Sequence, residues 1–343
     1  MGVLKNTKID SLLERTSRSF YPTLKYLPNK TRSQIGLLYL LARVADTIAD
    51  SKSGETQVLL DLLKNYNDVA QGKTSELPDF SAIAKIQSNE SEKDLLNNVD
   101  DVVEGLKDFD NEDIKLILEC LDIIVGGQIL DLERFGPAME GGMISSLKSE
   151  IELDDYTYRV AGCVGTFWTK MSLQHLMSLP ADKEKIFLEK GIRFGKALQM
   201  INILRDIPED LRFGRCYIPE EILSEHGMKP SDLLNKDNID RFRPLYDKYL
   251  DLTNEHLDAA SDYIKMIPKG QFRLKASCLL PVLIAQKTVT LLRTGNVLDS
   301  SERIKVVREE IKKYGKKIIK ALLIPGGVKR LLEKNKDSPD KLL

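Results

Sequence analysis

The sequence predicts an all-α protein, on three observations. Apolar residues recur at i, i+3 and i+4 through most of the chain. The Val-Ile-Thr alternation bounded by tight turns that marks strands is nearly absent. Start and stop signals agree, with proline or glycine standing where several of the periodic stretches begin or end. Of 343 residues, 42% are hydrophobic and 30% charged, which supplies a core and argues against a disordered chain.

Leu12, Leu13 and Phe20 open the pattern, and an almost wholly apolar helix follows from Ile35 to Ile48, preceded by Pro28-Asn29-Lys30-Thr31. Further helical segments are expected near 56–70, 94–108, 112–135, 153–178, 183–207, 238–266, 273–293 and 303–322. Pro180-Ala181-Asp182 starts one of them, and Pro325-Gly326-Gly327 stops the last. A weak linker reads at 71–93, where Gly72, Ser75, Pro78, Ser81, Ser88 and Ser91 cluster. It is not read as a domain boundary, because the chemistry below draws on both sides of it; a single domain over 1–343 is expected. The stretch after Leu332 is polar and expected to fray.

Lys and Arg number 51 against 52 Asp and Glu, a net charge of −1, so the chain carries no global basic footprint for nucleic acid. Cys120, Cys163, Cys216 and Cys278 are far apart, without metal or disulfide spacing, and are expected to be reduced thiols. The first twenty residues have no apolar h-region. No run approaches the ~20 apolar residues of a membrane span; the longest, from Ala276 to Ala285, contains Pro281. A cytoplasmic protein, at most peripheral to a membrane, is expected.

Two acidic pairs stand out. Acidic residues are common enough that i, i+4 pairs arise by chance, but Asp46 and Asp50 end IGLLYLLARVADTIAD, and Asp206 and Asp210 end ALQMINILRDIPED. A helix apolar all round is expected to be buried, and a buried carboxylate is costly unless paired, hydrogen-bonded or metal-bound. At i, i+4 both carboxylates share a helix face. Two such helices facing one another would set four carboxylates about one cavity, a hard-oxygen set suited to Mg²⁺ and a substrate phosphate. Arg43 and Arg205 sit beside the pairs, and guanidinium groups suit phosphate. The cavity read from this is apolar, with acid, metal and arginine at its mouth, and suits a hydrocarbon carrying a diphosphate. The alternative is buried Asp–Arg pairs that merely lock helices together. Pro208 removes a backbone donor and leaves the direction of Asp210 open.

At these residues the sequence resembles the squalene/phytoene synthases, head-to-head prenyltransferases, over about residues 8–295. The motifs are TSRSF (16–20), ARVADTIAD (42–50), YTYRVAGCVG (156–165) and LQMINILRDIPEDLRFGRCYIP (198–219). The resemblance implies the isoprenoid synthase fold, a helical bundle around a central cavity. It implies that Asp46, Asp50, Asp206 and Asp210 hold Mg²⁺-diphosphate, with Gln199 and Asn202 on the same side. Tyr156 matches a tyrosine assisting ionisation and proton handling. Ser17, Arg18, Ser19 and Phe20 match a segment contacting the diphosphate and, in the squalene-forming branch, NADPH. Arg43 and Arg205 match arginines of that polar region, and a short match at 269–273 adds Arg273 to the cofactor contacts. The activity implied is condensation of two farnesyl diphosphates to presqualene diphosphate, then reduction by NADPH to squalene. DTIAD with TSRSF favours squalene over phytoene or dehydrosqualene synthesis, which use no reductant. A non-catalytic helical scaffold of the same fold would be expected to lose the aspartates that this chain keeps. Ala49 departs from the acidic residue of eukaryotic squalene synthases.

Leu37, Leu40, Leu41, Val44, Ile201 and Leu204 are candidates for a water-excluding wall, or ordinary core. Gln128 and Asp131 either reach the cavity or make structural polar contacts. His175, His226 and His256 have no carboxylate at ligand spacing and read as structural; Trp168 reads as core, and Cys163 and Cys216 as small fillers. Lys312, Lys313, Lys316, Lys317 and Lys320 form one side of a helix, either solvated or facing anionic lipid.

Overall fold

The computed structural model describes residues 3–17, 20–52, 55–301 and 303–336. It is all-α, as the periodicity predicts. The chain forms two compact units by contact, one over 1–140 and 170–176, the other over 141–169 and 177–343.

In the first unit the Asn29–Ala49 helix packs on Thr56–Ala70 and Asn111–Phe135. Leu37, Leu40, Leu41 and Val44 are essentially inaccessible to solvent, and each such side chain contributes about 1.5–3 kcal/mol on burial. Asp110 caps the Asn111–Phe135 helix by accepting from the Asp113 amide at 2.8 Å. The expected 94–108 helix is three pieces, Glu90–Leu96, Val99–Glu104 and a tighter turn at Gly105–Asp108. The 71–93 stretch is only partly linker, since it contains the short Ser81–Ile86 helix, whose Ile83 and Ala84 are buried.

In the second unit Ala181–Arg205 packs along Ile239–Met266, and Phe272–Thr294 packs on Ile239–Met266 and Arg308–Leu323. Within 153–178 the helical register changes: Glu150–Thr157 passes through a π turn at Tyr158–Gly162 into Cys163–His175, of which residues 163–169 belong to this unit. There the backbone lies against Ala181–Arg205 so closely that a Cβ on Gly165 would overlap the Gly191 carbonyl, and one on Gly195 the Ala161 carbonyl. Ring stacking of Phe187 on Tyr263, with centroids 3.9 Å apart, fills the adjacent core.

Three sequence expectations change. Residues 303–307 are not helical, so the next helix starts at Arg308. Residues 333–336 continue the Gly327–Lys336 helix, anchored by Leu332, and the rest of the stretch expected to fray lies outside the described residues. Phe272–Thr294 is long and apolar enough to cross a membrane by length and composition, against the expectation of no such stretch. Two thirds of its most apolar window is buried, as in a core helix.

Candidate functional site

In the first unit, Asp46 lies in the last turn of Asn29–Ala49 and Asp50 caps it, its amide donating to the Asp46 carbonyl at 2.9 Å. Asp46 is about one third exposed (34%). Gln128, four turns along Asn111–Phe135, donates to its Oδ1 at 2.6 Å. Arg43 stands 3.8 Å from the other oxygen and donates to Glu92 at 2.5 Å. Burial pushes the Asp46 carboxyl up to about 7; Asp50 and Glu92 add to the rise, and Arg43 and Gln128 oppose it. Beneath it the buried Tyr66 donates to the Leu41 carbonyl at 2.9 Å, its hydroxyl acidity suppressed by burial and by the Asp46 charge. Arg43 thus meets two carboxylates, Asp46 and Glu92, while the Asp50 charge acts on Asp46.

The second cluster forms where Ala181–Arg205 ends. Asp206 leaves the helical conformation, and a new turn, Ile207–Arg212, begins with Pro208 near its start. The break is the one that Pro208 announces, although the Asp210 amide still bonds the Asp206 carbonyl at 2.9 Å. Arg205 grips both Asp206 oxygens, at 2.9 and 2.6 Å. Burial alone would lower the Arg205 pKa; its bond to Asp206 and the charges of Asp206, Glu209 and Asp210 outweigh that and raise it. Arg205 also donates to Asn202 at 3.1 Å, and Asn202 to Gln199 at 3.4 Å. These residues form one polar ladder on one helix face. Arg303, from the non-helical segment beyond the long apolar helix, adds two bonds to Asp206, at 3.1 and 2.7 Å. Arg205, Arg212 and Arg303 line a surface pocket of about 210 Å³ with Asp206 and Glu209.

Tyr156 is buried, its ring stacked on Tyr217 at 4.6 Å, two residues before the π segment. Such segments recur at functional sites. Ser17 is buried and donates back to the Leu13 carbonyl; Phe20 stacks on Tyr39 at 5.5 Å. Arg18 and Ser19 lie outside the described residues. Arg273 is exposed in the first turn of Phe272–Thr294.

Glu92 and Arg303 were not singled out by sequence reasoning, since neither sits in a motif. His175, read as structural, has a carboxylate partner distant in sequence: its Nε2 lies 2.6 Å from Asp113, which also accepts from Gln34 at 2.7 Å and Gln174 at 3.0 Å. This buried network ties helices together and makes no contact with Asp46 or Gln128 in the bonds it forms. Cys163, Cys216 and Cys278 are buried, and burial pushes the thiols of Cys216 and Cys278 up to about 12, which suits fillers. The six wall candidates are all buried core. Among the described residues no three His, Cys, Asp or Glu side chains gather as a metal cage.

A family model, squalene/phytoene synthase, matches residues 13–310. The bifunctional lycopene cyclase/phytoene synthase of Pyrenophora tritici-repentis is 28% identical over 79% of this chain and 44% of its own length. The squalene synthase ERG9 of Saccharomyces cerevisiae is 28% identical over 66% of this chain and 48% of its own. The chain thus spans less than half the length of either relative. In fold, it superposes on TcSQS bound to a ligand with a TM-score of 0.78 at 18% identity, covering 95% of this chain and 88% of that one. With the matched region running through both acid–arginine clusters and on to Arg303, this chain belongs to the squalene/phytoene synthase family.

Proposed function

We propose that the chain condenses two farnesyl diphosphates head to head through presqualene diphosphate and, given NADPH, yields squalene. The observation that carries this is the pair of acid–arginine clusters, each built on two aspartates four residues apart at the end of an apolar helix. Each aspartate pair offers hard oxygen donors, the kind Mg²⁺ takes. In the first cluster burial and surplus negative charge hold Asp46 near 7, and a dication would offset that surplus. Mg²⁺ keeps part of its shell for water and substrate phosphate, so two carboxylates per pair suffice to hold it. The residues therefore fit Mg²⁺: Asp46 with Asp50, and Asp206 with Asp210, would hold it. Bound there, the metal would supply Lewis-acid stabilisation of the departing diphosphate.

The chain's own groups do the rest. Arg205 and Arg303 present fixed donors beside Asp206, where a leaving diphosphate gathers charge. Gln128 orients the Asp46 carboxylate. The Tyr156 hydroxyl, on a ring held by Tyr217, handles the proton lost when the cyclopropane closes.

For NADPH the fit is poorer. Arg273 is exposed and Arg18 lies outside the described residues, so no described contact gathers the matched arginines about a cofactor phosphate. The second reading, phytoene or dehydrosqualene synthesis without reductant, gains from that observation and from likeness to the phytoene synthase of Pyrenophora tritici-repentis. Product mass analysis with farnesyl diphosphate and Mg²⁺ tests both. Presqualene diphosphate without NADPH and squalene with it support the first reading. Dehydrosqualene regardless of NADPH, or phytoene from a preferred geranylgeranyl diphosphate, supports the second. No prenyl product from either substrate overturns both.

A further inference from the structure

The Arg308–Leu323 helix buries one face, Tyr314, Ile318 and Ala321. Directly opposite, at i, i+4, i+7 and i+11, run Lys312, Lys316, Ile319 and Leu323. Leu323 is 79% and Ile319 58% exposed, with Ile324 exposed at the helix end. Lys313 and Lys320 flank the stripe and are exposed. Lys312, Lys313, Lys316 and Lys320 form no ion pair among the described residues. The next helix, Gly327–Lys336, continues the same chemistry. Between the two helices lies a groove of about 360 Å³, lined by Lys317, Lys320, Arg330 and Lys334 together with Ile324 and Leu331. Over 308–336 ten basic side chains meet three acidic ones, in a chain whose net charge is −1.

A merely solvated face accounts for the lysines but not for bare Leu323 and Ile319 among them. A second copy of the chain is disfavoured, because a symmetric contact through this face would oppose two strongly positive surfaces. Exposed aliphatic side chains set among lysines match a bilayer surface, where the aliphatics enter the acyl boundary and the ammonium groups meet headgroup phosphate.

We propose that this face, formed by Arg308–Leu323 and Gly327–Lys336, docks on an anionic phospholipid bilayer. The proposal is independent of which product the enzyme makes.

The test is flotation of the full chain with phosphatidylcholine vesicles, with and without phosphatidylglycerol. Binding is expected to the anionic vesicles only and to weaken with salt. Replacing Lys312, Lys316 and Lys320 by Gln should weaken it by about tenfold or more. The Ile319→Ser, Leu323→Ser double variant should also weaken it, at unchanged melting temperature and turnover. Because the four native cysteines are buried, a Leu323→Cys variant takes an environment-sensitive dye selectively. Its emission should shift to the blue on anionic vesicles. Equal binding to neutral vesicles, full binding by the lysine variant, no dye shift, or a dimer that the double variant dissociates would each overturn the proposal.

Discussion

Replacing Gly165 by Ala tests whether two helix backbones truly touch where the family motif YTYRVAGCVG ends. The added Cβ would overlap the carbonyl oxygen and carbon of Gly191 and lie 3.2 Å from the Ile192 nitrogen. Backbone has no alternative rotamer, so Cys163–His175 and Ala181–Arg205 would have to part by about an ångström or more, loosening their packing along a shared edge. Overpacking costs about 1–3 kcal/mol where side chains can shift, and a backbone clash belongs at or beyond the upper end. For a unit of this size each kcal/mol lowers the melting temperature by about 2–4 °C, so a fall of about 6–12 °C is expected. Far-UV circular dichroism on heating measures it. Gly270→Ala, where a Cβ meets nothing within 4 Å, is the control; it should move stability by no more than about 0.5 kcal/mol. If Gly165→Ala melts within about 1 °C of the parent, the close approach, and the reason given for this glycine, is wrong.

Asp46→Ala and Asp206→Ala should each lower turnover by about a thousandfold or more while leaving helical content intact; full activity in either would remove that pair from the reaction. Arg303 is about half exposed (53%), so Arg303→Ala should cost less than about 1 kcal/mol of stability yet slow turnover about ten- to a hundredfold. Unchanged turnover would leave Arg303 a surface contact. Burial, then the charges of Arg193 and Lys196, lowers the His256 pKa from 6.5 to about 4, and Arg193 Nε donates to its neutral Nδ1 at 3.1 Å. The unfolded chain binds that proton at higher pH than the folded one, so this residue makes stability rise with pH from about 4 to about 6.5 and level off above. His256→Gln should flatten the upper part of that slope in denaturant titrations; an unchanged slope would contradict the burial argument.

Much of the fold is legible because it is periodic. The Ile35–Ile48 run in the Asn29–Ala49 helix is almost wholly apolar, as expected of a buried rather than a solvent-facing helix. Pro208 similarly announces the break after Asp206, since a missing donor and a bulky ring leave few ways to continue. The partners of the acidic residues are another matter. Glu92 meets Arg43 from 49 residues away, and Arg303 meets Asp206 from 97. Polar pairs at such separations leave no repeat in the chain, because either member looks like any surface charge until the fold closes. The same holds for Asp113 beside His175. Ser81–Ile86 hid for a local reason: six residues make too few turns to show a period, and the surrounding Ser, Gly and Pro mask it.

The grip of Arg303 on Asp206 bears on how this gene should be shortened for crystallisation or better yield. Stopping translation at Gly295, where the long apolar rod finishes, looks harmless on a hydropathy plot. It would discard one of two guanidinium clamps on a carboxylate that the reaction is proposed to need. Any trimming that hopes to keep catalysis therefore has to spare Arg303.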